Sequence, residues 1–256
     1  RCMVLAGDHE DVRAEWLARI EPMQRGDFVA IFEAMDGWPV TIRLLDWPLH
    51  EFLPREKADL EAVARALGVD VEVVRQRALA LRETNPMLGH RGVRVGLTSP
   101  AIYRMQTRAI LQAAAECRKK GVDVKPEIMI PVVALAEELE AMRPQIEEAA
   151  RAAIVDLDVE VPYLIGTMIE LPRACLVAGE LASHAEFFSF GTNDLTQTTF
   201  GISRDDAGRF LPFYVQDPGG LLEADPFARL DAGGVAELVR LGSERGRARR
   251  AELELG

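Results

Sequence analysis

The tightest constraint on this chain is a set of short, nearly continuous apolar runs, each closing on a residue that is costly to bury. Pro162-Tyr-Leu-Ile-Gly-Thr-Met-Ile169 stops at Glu170, and Phe187-Phe-Ser-Phe-Gly191 stops at Thr192-Asn193-Asp194. Glu127-Ile-Met-Ile-Pro-Val-Val133 is a third run, and Pro39-Val-Thr-Ile-Arg-Leu-Leu45 ends at Asp46. Val93-Arg-Val-Gly-Leu97 reads as one more short strand. Strands apolar on both faces need cover on both faces, which implies a parallel sheet clad in helices. The intervals supply those helices. Ile102, Met105, Ala109, Ala113 and Cys117 share one helical face, and Leu135, Leu139, Met142 and Ile146 share another. Further helices are expected from about Asp8 to Met35, Arg55 to Leu67, Val71 to Glu83 and Val235 to Arg250. Between Ser203 and Phe227 the periodicity vanishes into a loop with Pro212, Pro218, Gly219, Gly220 and Pro226, long enough to suggest a functional segment.

Composition narrows the function. With 41 acidic against 30 basic residues the net charge is −11, a poor match to a general nucleic-acid binder. The cluster Arg245, Arg247, Arg249 and Arg250 is interspersed with Glu244, Glu252 and Glu254 and reads as a solvated helix face. No apolar stretch is long enough for a transmembrane helix, and the first residues are too short for a signal-peptide core. The chain starts without Met, so it is expected to begin inside a longer protein. Cys2, Cys117 and Cys175 form neither a zinc pattern nor a disulfide framework, which fits reduced thiols in a cytoplasmic protein. Cys117 and Cys175 sit in Ala-rich helical stretches and read as core rather than nucleophile.

Parallel α/β sheets bind ligands at the carboxyl ends of their strands. Glu170 and Asp194 lie one strand–helix repeat apart, so they are expected side by side at the same level. Two adjacent carboxylates repel, and Mg²⁺ resolves the repulsion while leaving positions for substrate oxygens and water. The alternative is that each carboxylate caps the helix after it or pairs with an arginine. Arg43 sits among apolar residues and needs an anionic partner, because its guanidinium cannot shed charge. Arg91, in the Gly-His-Arg-Gly turn, and Arg204, in the long loop, can join it in gripping an oxyanion. An internal Arg43–Asp46 ion pair is the alternative. These features suggest a Mg²⁺-assisted site for a small phosphorylated or carboxylated substrate, with phosphoryl transfer and enolate formation both open.

Four motifs carry a resemblance: Thr41-Ile-Arg-Leu-Leu-Asp46, Asn85-Pro-Met-Leu-Gly-His-Arg91, Gly166-Thr-Met-Ile-Glu170 and Gly191-Thr-Asn-Asp-Leu-Thr-Gln197. In this order they resemble the PEP-utilising enzymes, which include pyruvate phosphate dikinase, PEP synthase and enzyme I of the sugar phosphotransferase system. Ile31-Phe-Glu-Ala-Met-Asp-Gly37, Leu49-His-Glu-Phe-Leu-Pro54 and Ser203-Arg-Asp-Asp-Ala-Gly208 are most similar to the dikinase branch. The resemblance covers essentially the whole chain. It implies an α/β fold, a (β/α)₈ TIM-type barrel that is incomplete in this chain. Residues 1–256 would form a single PEP/pyruvate-binding domain with a helical insertion at about 55–83 and the long loop at about 203–227.

Carried over by position, the resemblance gives Arg43 and Arg91 the phosphoryl group, and Glu170 and Asp194 a Mg²⁺ ion. Gly191, Thr192 and Asn193 would contact the substrate, and Arg204 would approach the phosphate from the loop. The implied chemistry is phosphoryl transfer between PEP and a phosphohistidine on another domain. In the full enzyme pyruvate, ATP and phosphate give PEP, AMP and diphosphate. The implied partners are PEP or pyruvate and the phosphohistidine and ATP-grasp domains of a parent chain, with no nucleic acid or membrane; a homodimer is compatible. Three departures stand out. The family's Cys-Arg-Thr-Glu segment and its acid/base Cys lie outside this sequence, none of the three cysteines matches the latter, and Trp47 stands where the family usually has Pro. The catalytic acid/base is therefore unassigned, and this piece alone is expected not to complete the reaction. PEP synthase, enzyme I and a non-catalytic ligand-binding fragment are the competing readings.

Overall fold

The computed structural model describes residues 1–7, 9–155, 159–216 and 219–256; Asp8 and Pro218, used above for a helix start and a loop, lie outside them. Two compact units make up the chain. One comprises Arg1–Ile128 with Ala141–Tyr163, the other Met129–Glu140 with Leu164–Gly256. Among the described residues the sheet has five strands in the order β1-β2-β3-β4-β5. These are β1 (Pro39–Arg43), β2 (Lys125–Ile130), β3 (Leu164–Ile169), β4 (Phe187–Phe190) and β5 (Glu254–Leu255). Strands that neighbour in space as they follow in sequence, with helices between them, are the winding of an incomplete (β/α) barrel.

In the first unit, α1 (Cys2–Leu5) and α2 (Glu10–Ala34) precede β1. Then come α3 (Lys57–Leu67), α4 (Val71–Ala80), α5 (Val93–Thr98) and α6 (Pro100–Lys119); β2 and the following α7 (Ala136–Ile154) have residues in both units. Helix α6 is buried along most of its length, including Ile102, Tyr103, Ile110 and Leu111, because it packs on α2 and also holds the chain after β1. The Tyr103 hydroxyl donates to the Leu45 carbonyl at 2.9 Å, and the Leu45 N–H donates to Gln106 Oε1 at 2.8 Å. Side chains thus satisfy both backbone groups of Leu45, two residues after β1 stops at Arg43. Arg108 grips Glu21 through two contacts of 3.2 and 2.6 Å, tying α6 to α2. A satellite core of Val4, Leu5, Leu53, Val63, Val74 and Ala78 joins α1, α3 and α4.

In the second unit, β3 is followed by α8 (Pro172–Leu176) and α9 (Ala178–Leu181), and β4 by α10 (Thr192–Phe200). Residues 203–227 contain a 3₁₀ turn (Ala207–Arg209) and α11 (Leu211–Tyr214); α12 (Val235–Arg249) leads into β5. β3 and β4 pair in parallel, with Met168 opposite Ser189 and Ile169 opposite Phe190. β5 adds in parallel, with Phe187 opposite Glu254 and Phe188 opposite Leu255.

Two expectations change. The run at 93–97 is helical, not a strand. Arg94 reaches back to the carbonyls of Leu88 and Gly89 at 3.0 and 2.7 Å, and Val93, Val95 and Gly96 are buried in a helical turn beside α6. Strand β5 was not expected, since two residues carry no periodic signal.

Candidate functional site

In the first unit, Arg43 ends β1 and Asp46 follows three residues later at 7 % exposure. Arg91, itself 5 % exposed, forks onto that carboxylate: Nε to Oδ1 at 3.2 Å and Nη2 to Oδ2 at 2.6 Å. Its third nitrogen, Nη1, donates to the Met87 carbonyl at 3.3 Å, so the guanidinium is held in one orientation. Arg43 Nη1 lies 3.1 Å from the same Asp46 oxygen, but the Arg43 side chain stays 40 % exposed. The internal pair expected as the alternative reading is therefore present, and it accommodates two arginines. Asp46 acts as an anionic hub that fixes Arg91 and leaves Arg43 on the surface. The sequence signal for this hub was the Asp at the end of an apolar run.

The second unit holds the other candidates. Glu170 follows β3 at 1 % exposure, and its Oε1 accepts the Val132 N–H at 2.6 Å. The register sets Gly191 beside it, and the Gly191 N–H donates to the Ile169 carbonyl at 3.0 Å. A Cβ at Gly191 would stand 2.8 Å from Glu170 Cβ and 2.8 Å from Met168 Sδ. Only glycine lets the two strand ends approach this closely. Thr192, Asn193 and Asp194 form the first turn of α10, where backbone N–H groups have no helical partner and attract anions. Asp194 Oδ1 accepts from Asn193 Nδ2 at 3.0 Å and from Gln197 Nε2 at 3.3 Å.

Arg204 from the long loop comes to the same turn. Its Nη1 donates to Asn193 Oδ1 at 2.8 Å, its backbone N–H donates to Gln197 Oε1 at 2.8 Å, and its guanidinium stacks 5.7 Å from the Phe227 ring. A cavity of about 270 Å³ opens here, lined in part by Thr192, Asn193, Thr196, Arg204 and Phe227. The structure thus brings Glu170, Gly191, Thr192, Asn193, Asp194 and Arg204 together within one unit, and Arg43 with Arg91 within the other. Gln197, which ties Asp194 to the Arg204 backbone, was not singled out from sequence; its three-residue spacing from Asp194 on a helix was the available signal. Val132 was missed as well, and nothing in its type announces a donor role.

No cluster of three or more His, Cys, Asp or Glu side chains suited to a metal exists among the described residues. Mg²⁺ does not need one. It binds through one or two carboxylates plus substrate oxygens and water. Glu170, directly after β3, and Asp194, in the first turn of α10, are carboxylates of the kind such an ion takes, and would be the two residues to hold it. Cys117 and Cys175 are buried within helices α6 and α8. Burial pushes the Cys175 thiol up to about 11, and desolvation chiefly raises that of Cys117.

Residues 8–251 match the family described as PEP-utilising enzyme, PEP-binding domain. The chain belongs to that family. Over its full length it is 54 % identical to a pyruvate, phosphate dikinase of Rhizobium meliloti (strain 1021), covering 28 % of that protein. It is 48 % identical to the pyruvate, phosphate dikinase of Giardia intestinalis, covering 29 %, and 50 % identical to the chloroplastic pyruvate, phosphate dikinase 1 of Oryza sativa subsp. japonica, covering 27 %. The chain therefore spans little more than a quarter of the length of these curated relatives. No helix among the described residues is long and apolar enough to cross a membrane.

Proposed function

We propose that residues 1–256 are the PEP/pyruvate-binding module of a cytoplasmic pyruvate phosphate dikinase, working with phosphohistidine and ATP-grasp domains. Its task is to hold PEP or pyruvate while a phosphoryl group passes to or from the phosphohistidine. The observation that carries this reading is Glu170. A carboxylate almost fully removed from water, oriented by a backbone N–H and set beside the first turn of α10, suits a cation better than solvent. In this reading Glu170 and Asp194 hold Mg²⁺. When bound, the ion supplies positive charge to substrate oxygens that gain negative charge during transfer.

The chain's own residues do the rest. Arg43 and Arg91 hold the phosphoryl group. Asp46 holds the planar guanidinium of Arg91 in one place and orientation before an oxyanion arrives. The turn Gly191-Thr192-Asn193 receives the carboxylate at the positive end of α10, and Arg204 closes from the loop over Asn193. Calorimetric titration with PEP and with pyruvate, in Mg²⁺, tests the assignment. Arg43→Ala should weaken PEP binding and leave pyruvate binding unchanged. Equal weakening of both, or of neither, would refute the phosphoryl role of Arg43.

A further inference from the structure

Among the described non-glycine residues, Val132 stands out with a positive φ, at 60°. A β-branched side chain in the left-handed region is a genuine outlier, because Cβ crowds the backbone there. Such strain persists only where its surroundings leave no alternative.

The surroundings of Val132 do so. Pro131 cannot donate to the sheet and ends β2. On one side of Val132, the Ile130 carbonyl accepts the Thr167 hydroxyl at 2.8 Å. On the other, the Ala134 carbonyl accepts from Arg173 Nη1, and Glu138 Oε2 accepts the N–H groups of Ala134 and Leu135 at 2.7 and 3.0 Å. The Val132 side chain is itself buried, at 3 % exposure. Residues 130–135 are thus pinned from β3, α8 and α7, and the strained residue between the pins points its N–H at Glu170 Oε1, 2.6 Å away. An easier backbone geometry at this position would turn that N–H elsewhere.

We infer that Val132 is a positioning residue: its strained backbone fixes the carboxylate of Glu170 in the orientation that receives the cation. This rests on the reading of Glu170 as a metal ligand. Partners that orient a ligand typically carry a 10- to 100-fold effect on metal affinity. The test is backbone replacement at one atom. Exchanging Val132 for α-hydroxyisovalerate by nonsense suppression keeps the side chain and removes only the N–H.

Mn²⁺ binding in the presence of oxalate is then followed by electron paramagnetic resonance for the unmodified chain, the ester variant and Glu170→Gln. The expected result is that Glu170→Gln abolishes tight binding, while the ester weakens it roughly 10- to 100-fold and alters the Mn²⁺ spectrum. If Glu170→Gln binds normally, the ligand reading itself fails. If Glu170→Gln loses binding but the ester binds as the unmodified chain does, only the positioning role is overturned. Should the ester variant not fold, the ¹⁵N-valine spectrum of the unmodified chain decides. The Val132 amide is expected to shift when Mg²⁺ and oxalate are added together, and an unmoved Val132 resonance overturns the proposal.

Discussion

Replacing Asp46 by alanine removes the carboxylate that Arg91 grips with two nitrogens. Both side chains are nearly inaccessible, at 8 % for Asp46 and 6 % for Arg91, so bulk water cannot take over the charge. A guanidinium does not deprotonate to escape such a site. Removing one member of a buried pair costs about 3–5 kcal/mol, most of it from the charge left behind. The second contact, to the 40 % exposed Arg43, adds little, since solvent-screened pairs contribute about 0–1 kcal/mol. Asp46→Ala should therefore destabilise the unit that contains it by about 3–5 kcal/mol, and Arg43→Ala by about 1 kcal/mol or less. Urea unfolding followed by tryptophan fluorescence reads this directly, because Trp16, Trp38 and Trp47 are the chain's three tryptophans and all belong to that unit. If Asp46→Ala loses no more stability than Arg43→Ala, Asp46 is not the hub described here.

Three further outcomes are expected. Gly246 lies in α12, where alanine ordinarily stabilises by about 1 kcal/mol; here a Cβ would stand 2.7 Å from both Leu253 Cδ2 and Phe188 Cε2. Gly246→Ala should therefore lose about 1–3 kcal/mol through overpacking in thermal or urea unfolding. Alkylation at pH 8, read by mass spectrometry, should modify the half-buried Cys2 well before Cys175. The folded Cys175 thiol stays protonated up to about 11 against an ordinary value of 9.0, so its contribution to stability is complete below pH 9 and is lost as pH rises towards 11.

The parallel sheet was legible because strands buried on two faces spell continuous apolar runs, as at 164–169 and 187–190, and because Glu170 and Asp194 interrupt them abruptly. The segment at 93–97 misled for the converse reason. Five residues with alternating valines fit a strand pattern, whereas burial of Val93 and Val95 beside α6 and the local grip of Arg94 on the preceding loop accompany a helix. Strand β5 exists because β4 offers it an edge, a property of the fold and not of Glu254 and Leu255. The site residues were readable as types, but their couplings were not. Asp46 was visible as the end of a strand, whereas its simultaneous hold on Arg43 and Arg91 depends on residues 45 positions apart meeting in space. Val132 was invisible altogether: its composition argues for extended backbone, and the contacts from Thr167, Arg173 and Glu138 around it impose the opposite.

The most direct test of the account is calorimetric titration of the chain with oxalate, a mimic of enolpyruvate, with and without Mg²⁺, repeated for Glu170→Gln and Asp194→Asn. Oxalate binding is expected to require Mg²⁺ and to be lost in both variants. Oxalate binding that proceeds without Mg²⁺, or that survives Glu170→Gln, would contradict it.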